Sequence, residues 1–307
     1  MASYAILGTG AVGGYYGGLL QKAGRDVHFL VRSDFDHLKA HGLRVDSPRG
    51  DFTLEKVNAY AGPEAMPRCD VAVVAWKSTE NAHLAEVLPK VLKPAGTVLV
   101  LQNGLDPERE ASAAVPEAEI LSGLCFLCSR KAGPGWIRHL DYGAITLAAY
   151  SAKGPQGVTP GMRAVGDDLL AAGVEIRLHE NWRAARWRKL VWNIPFNGLC
   201  ALLSADTAQL LRDPPMRAQV AGLMDEVIAG AKLCGCPMPD NFRDRMLKDT
   251  DVMAPYEPSM KLDRDGRRPM ELEAIYGRPL REIAEAGGSA PLIEALYAQL
   301  LLLERGT

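Results

Sequence analysis

The sequence predicts an α/β protein in two parts, a Rossmann-type doubly wound, mostly parallel sheet followed by an all-helical segment. Three observations carry that prediction. Short apolar runs alternate with helix-periodic stretches over residues 1–178. A glycine cluster follows the first of those runs directly. After Val174-Glu175-Ile176-Arg177-Leu178 the strand-like runs stop, and from Asn181 onward almost everything is helix-periodic. The expected domains are therefore 1–178, of Rossmann type, and 179–307, helical.

The first run, Tyr4-Ala5-Ile6-Leu7, feeds into Gly8-Thr9-Gly10-Ala11-Val12-Gly13. A helix-like stretch over 11–23 ends at Gly24, and a second β-rich run, Val27-His28-Phe29-Leu30-Val31, follows. In a dinucleotide-binding βαβ unit each glycine has a mechanical task. Gly8 makes the tight turn, Gly10 lets the backbone approach a pyrophosphate, and Gly13 lets helix pack on strand, with Thr9, Ala11 and Val12 completing the loop. The helix N-terminus offers unpaired N–H groups and a partial positive charge to the phosphates. The alternative is a tight βα turn in a doubly wound fold that binds no nucleotide. The end of the second strand then selects the cofactor. Sites for NAD place an acid there, about 20 residues past the glycines. This chain has Arg32-Ser33 and no acid until Asp34, so NADP(H) is expected, with Arg32 pairing to the 2′-phosphate.

Further strands are expected at 71–76 and 97–101, with Pro94-Ala95-Gly96 as the turn before the latter. The unbroken apolar run Val71-Ala72-Val73-Val74-Ala75 suits a strand buried on both faces of a parallel sheet. Over 120–150 three β-like stretches, broken at Ala132-Gly133-Pro134-Gly135 and Asp141-Tyr142-Gly143, read as an antiparallel-rich sheet edge. The helical part reads as five or six segments, some separated by Pro214-Pro215, Pro237-Met238-Pro239 and Tyr256-Glu257-Pro258. A ligand cleft is expected where the two parts join.

Composition narrows the partners. With 48% hydrophobic and 23% charged residues the chain is an ordinary globular protein, and a net charge of −2 gives no basic field for nucleic acid. No apolar stretch approaches bilayer length, and the chain opens as a strand rather than a signal peptide, so a cytoplasmic location without membrane contact is expected. The six cysteines have neither the spacing nor the context of a metal knuckle and read as reduced, mostly buried thiols; no metal is expected.

Trp187-Arg188-Lys189-Leu190-Val191-Trp192-Asn193-Ile194-Pro195-Phe196-Asn197 is the second informative stretch. Lys189, Asn193 and Asn197 repeat at a spacing of four, which puts them on one stripe of a helix. Pro195 would break the ladder, at a cost of about 3 kcal/mol inside a helix. A local rule broken beside a polar ridge marks a functional helix, the alternative being a solvated face.

Taken together, these pieces resemble the ketopantoate reductase family (2-dehydropantoate 2-reductases) from end to end. The resemblance is carried by the glycine loop, Lys77 after the 71–76 strand, Gln102-Asn103-Gly104, the Lys189 stripe, Ser259-Met260, and Arg268-Pro269-Met270-Glu271-Leu272-Glu273-Ala274-Ile275-Tyr276-Gly277. It implies hydride transfer from NADPH to the C2 carbonyl of a 2-keto acid, in pantothenate biosynthesis. Negative charge develops on the carbonyl oxygen, so a cation or proton donor is needed beside it. By the same resemblance Lys189 is the catalytic lysine and Glu271 the acid that orients substrate and lysine. Asn193, Asn197 and Ser259 bind the substrate. Asn103 lies near both nicotinamide and substrate, and Lys77 near the cofactor's phosphate or ribose. The resemblance makes 1–178 the NADP-binding domain and 179–307 the domain for substrate and dimerisation, and a homodimer is compatible with it. This chain carries Tyr256-Glu257-Pro258 and Pro269-Met270-Glu271 where relatives often place an asparagine and a threonine, which predicts a less polar substrate pocket. The alternatives are a paralogue acting on another branched or bulky 2-keto acid, and a non-catalytic NADP(H) sensor.

Overall fold

Strands that are apolar on both faces must be covered by helices on both sides, and the first part of the chain is built that way. The computed structural model describes residues 1–306. Its strands are β1 (Ser3–Leu7), β2 (Asp26–Leu30), β3 (Leu43–Asp46), β4 (Phe52–Leu54), β5 (Asn58–Tyr60), β6 (Cys69–Val74), β7 (Leu92–Val100), β8 (Glu119–Gly133), β9 (Trp136–Ala149) and β10 (Ile176–Leu178). They form one sheet in the order β4-β3-β9-β8-β7-β6-β1-β2-β5, with β10 also on β9. From β5 to β8 every pairing is parallel; β8 with β9 and β3 with β4 are antiparallel.

Helices α1 (Ala11–Lys22), α2 (Phe35–His41), α3 (Leu84–Val91), α4 (Glu108–Ala114) and α5 (Pro160–Ala171) accompany the sheet. Alternation along β1 divides the core. Tyr4 and Ile6 point to one face with Tyr16 and Leu20 of α1 and Met162 and Leu169 of α5. Ala5 and Leu7 point to the other, with Leu84, Leu88 and Val91 of α3 and Ala111 of α4. The strand order reverses direction between β1 and β6, and such a switch point is where doubly wound sheets bind ligands.

Three features differ from the sequence expectation. The 120–150 segment is two long strands, because Asp141-Tyr142-Gly143 is a bulge inside β9, with Tyr142 at φ 61° and Gly143 at φ 121°. That pair is also interior to the sheet, since β3 and β4 continue beyond β9. The turn residues Pro94-Ala95-Gly96 lie within β7 as an irregularity, where the register passes from Cys69↔Leu92 to Val71↔Thr97.

The second part contains α6 (Trp182–Leu203), α7 (Thr207–Arg212), α8 (Pro214–Leu233), α9 (Phe242–Asp251), α10 (Ser259–Asp265), a π-helical turn (Glu273–Gly277), α11 (Arg278–Glu285) and α12 (Pro291–Arg305). The helices outnumber the expected five or six segments because short breaks carry their own caps. Asp206 and Gln209 form a capping box at α7, and Asp213 caps α8, whose first turn Pro214-Pro215 opens rather than interrupts. Leu190, Val191, Ile194, Leu223, Met224, Val227, Ile293 and Leu296 centre its core.

By compactness the chain divides into one unit of Met1–Gln102 with Pro107–Trp182, and a second of Asn103–Asp106 with the chain from Arg183 onward. Trp182 falls in the first unit, beyond the expected boundary at 178, because its Nε1 donates to the Ser151 carbonyl at 3.2 Å and its ring packs on Tyr150. The six cysteines are free thiols, five of them buried. Among the described residues no helix is long and apolar enough to cross a membrane.

Candidate active site

In the first unit the glycine loop crosses the carboxyl end of β1. Gly8 has φ +98°, and a Cβ there would stand 2.7 Å from the Trp76 backbone nitrogen, so only glycine fits. The segment after β6 is drawn to the same place by the Ala75 N–H, which donates to the Leu7 carbonyl at 2.9 Å. Lys77, the next residue but one, is half-buried there at the start of a 3₁₀ turn. Gly10 is the N-cap of α1 and supplies no side-chain cap, leaving the helix N–H groups for another acceptor. A Cβ on Gly10 would meet nothing within 4 Å, so the loop borders open space. Uncapped N–H groups facing open space at a sheet switch point fit a pyrophosphate. Thr9 is buried, its hydroxyl 3.4 Å from the Leu30 carbonyl, which ties the loop to the end of β2. Ala11 and Val12 form the first turn of α1, and Gly13 packs against Ile6 and Ala75.

Beyond β2, Arg32 is 87% exposed and pairs with Glu80 at 3.1 Å. Asp34, the first acid after β2, is committed elsewhere. Its carboxylate accepts from Lys131 Nζ at 2.6 Å and from the Gly135 N–H at 2.9 Å. Burial opposes its ionisation, but these donors and Ser33 outweigh it and hold the carboxyl below its usual range. The Asp34 carboxylate is thus engaged, and the exposed side chain at the end of β2 is the Arg32 guanidinium, with the Glu80 carboxylate beside it.

In the second unit α6 carries Lys189, Asn193 and Asn197. The stripe is not a solvated face: Asn193 is 5% and Asn197 3% exposed. Asn193 Nδ2 has no hydrogen-bond partner, which costs about 1–3 kcal/mol for a buried donor. Pro195 lies inside α6 and the helix continues through it. Its neighbour carbonyl, Ile194, accepts from the Tyr276 hydroxyl at 2.8 Å, and Gly198 makes room: a Cβ there would stand 2.5 Å from that hydroxyl.

Three residues far apart in sequence form one chain of bonds. Lys189 Nζ donates to Asn103 Oδ1 at 2.8 Å, and Asn103 Nδ2 donates to Glu271 Oε2 at 3.4 Å. An ammonium only donates and a carboxylate only accepts, so the Asn103 amide has one orientation that satisfies both. Glu271 is 6% exposed and immediately precedes the helical run that leads into the π turn. Ser259 opens α10, half-buried and outside this chain of bonds. Met270 packs into the helical core, so its apolar side chain is accounted for by packing rather than by a pocket. Tyr256 is half-buried with its ring 6.4 Å from that of Trp192. Sequence reasoning missed Glu80 beside Arg32 and Arg278 on the Asn103 loop. Neither has a local pattern that singles it out.

Comparisons with known proteins identify the family. The family described as Ketopantoate reductase PanE/ApbA matches residues 4–152, and its C-terminal counterpart matches 181–304. The 2-dehydropantoate 2-reductase of Nostoc sp. is 51% identical over 302 residues, covering 98% of this chain and 95% of its own length. The crystal structure of 2-dehydropantoate 2-reductase from Geobacter metallireducens superposes with a TM-score of 0.93 at 39% identity, covering 99% of this chain and all (100%) of that one. That from Methylococcus capsulatus gives 0.88 at 33% identity, over 98% and 96% of the two chains. With both family regions matched and these identities over nearly the whole length, the chain belongs to the ketopantoate reductase family of oxidoreductases.

Proposed function

We propose that this protein is an NADPH-dependent 2-dehydropantoate 2-reductase, with Lys189 as the proton donor. The observation that carries this reading is the bonded series Lys189–Asn103–Glu271. Bound NADPH supplies the hydride that adds to C2 of the keto acid. The rest is work for the chain's own side chains. As C2 accepts the hydride, its carbonyl oxygen gains negative charge, and the Lys189 ammonium stabilises that charge and transfers one proton to it. The product is the 2-hydroxy acid, and lysine regains its proton from solvent. Asn103 holds the ammonium through Oδ1, so Nζ has one N–H fixed while the group is aimed. Glu271 fixes Asn103 from the other side. Asn193 offers its buried Nδ2 to a substrate oxygen, which would remove the desolvation cost of that donor. Asn197 and Ser259 are assigned to the substrate's remaining polar groups.

On the cofactor side, Gly8 to Gly13 cradle the pyrophosphate, Arg32 pairs with the 2′-phosphate and Lys77 reaches the phosphate or ribose. The most direct test is NADPH oxidation against a panel of 2-keto acids, repeated with NADH. The proposal expects 2-dehydropantoate to give the highest kcat/KM, and NADPH to outperform NADH. A better rate with another branched keto acid would move the substrate assignment, and no turnover with any would favour a sensor.

A further inference from the structure

We propose that Arg278 and Pro279 are positioning residues for the reduction, building a helix defect that seats Asn103 between Lys189 and Glu271. The inference rests on the reading of Lys189 as proton donor.

In a regular α-helix the Ala274 carbonyl would accept from the Arg278 N–H. Here the helix widens into the π turn Glu273–Gly277, and the Arg278 N–H bonds the Glu273 carbonyl instead. Continuing that wider pattern, the next donor would be the N–H of residue 279, but Pro279 has none. The Ala274 carbonyl therefore has no donor from its own helix at either position. The Leu105 N–H fills the gap, donating to it at 2.9 Å. Gly104, at φ +94°, lets the loop lie flat on the turn, since an added Cβ would stand 2.5 Å from Ala274 Cβ.

Arg278 then grips the same loop with its side chain. Its Nη1 donates to the Asp106 carbonyl at 2.6 Å and lies 3.4 Å from that of Leu105. Asp106 sits at φ 55°, a left-handed conformation that costs about 1–3 kcal/mol in a non-glycine residue unless its surroundings enforce it. One residue thus contributes its backbone to the π turn and its guanidinium to the loop. Asn103 is two residues from the Leu105 anchor, and its amide reaches Lys189 and Glu271 from there. A loop held only by its own chain would let that amide wander, and a displacement near 1 Å can cost about a hundredfold in rate.

The test is a mutant cycle assayed with NADPH and 2-dehydropantoate. Arg278→Met should lower kcat by at least about tenfold, with the keto acid KM changing less than kcat. NADPH affinity, titrated by fluorescence, should stay within about twofold, because no cofactor-binding group is altered. Arg278→Lys retains a donor for the Asp106 carbonyl and should restore most of kcat. Pro279→Ala restores an N–H to the helix and should lower kcat in the same sense. In an Asn103→Ala background, Arg278→Met should add less than about a twofold loss, since the group it positions has gone. An unchanged kcat in Arg278→Met, or an equal loss with and without Asn103, would overturn the proposal. Should Arg278→Met fail to fold, the lysine and Pro279→Ala variants complete the same cycle. Lys189→Met separates the two layers. If it stays active the reading of the site fails, whereas an inactive Lys189→Met beside a silent Arg278→Met removes only the positioning role.

Discussion

On the proposed reading, cofactor choice is decided at single residues. Arg32 is exposed and held only lightly by Glu80, while the neighbouring Asp34 is buried under Lys131 and the Gly135 amide. A 2′-phosphate can displace or join a surface ion pair of this kind, which contributes at most about 1 kcal/mol by itself. Arg32→Glu should therefore raise the KM for NADPH by at least about tenfold, the effect of losing one charge-assisted hydrogen bond, and leave that for NADH within about threefold. Equal shifts for both cofactors would make Arg32 a bystander. Asn193 makes the opposite kind of claim, since its buried amide donor is a liability without a ligand. Asn193→Leu should leave the melting temperature unchanged or raised and increase the keto acid KM by about three- to tenfold, the value of one neutral hydrogen bond. A lower melting temperature with unchanged KM would place Asn193 in the structural core alone.

At the scale of elements, what could be read from the sequence was what lies close together along it. The strand–glycine–helix–strand unit over residues 4–31 is local, and each residue type in it answers to one mechanical demand. The Lys189, Asn193 and Asn197 stripe was visible because all three sit on one helix. Its burial was not visible, since spacing defines a face but not what covers it. Pro195 reads as a helix breaker, yet α6 runs through it, with Tyr276 bonding the adjacent Ile194 carbonyl in a space that Gly198 leaves open. Bulge and turn use the same residues, so Asp141-Tyr142-Gly143 could be read as a strand end when it is an irregularity inside β9. The short strands β3 to β5 have too few residues to show alternation. The meeting of Asn103 with Lys189 and Glu271 lay beyond any local pattern. It depends on a π turn, which leaves no periodic signature, and on a loop whose Asn-Gly pair reads equally well as a plain turn.

At the scale of the whole molecule, the proposed reading gives the two compact units separable tasks. The first holds the glycine loop and Arg32, and the second holds Lys189, Asn103, Glu271, Asn193 and Asn197. A lesion confined to the second unit's proton donor should therefore abolish chemistry and spare cofactor binding. Lys189→Met is that lesion, because methionine keeps an unbranched apolar stem and deletes both charge and proton. Its turnover of 2-dehydropantoate at saturation, measured beside a fluorescence titration of NADPH, tests the account most directly. Turnover should fall by at least about a hundredfold, the lower end for losing an acid–base group, while NADPH affinity stays within about twofold. Retention of more than about a tenth of the wild-type kcat would contradict the assignment of Lys189 as the proton donor.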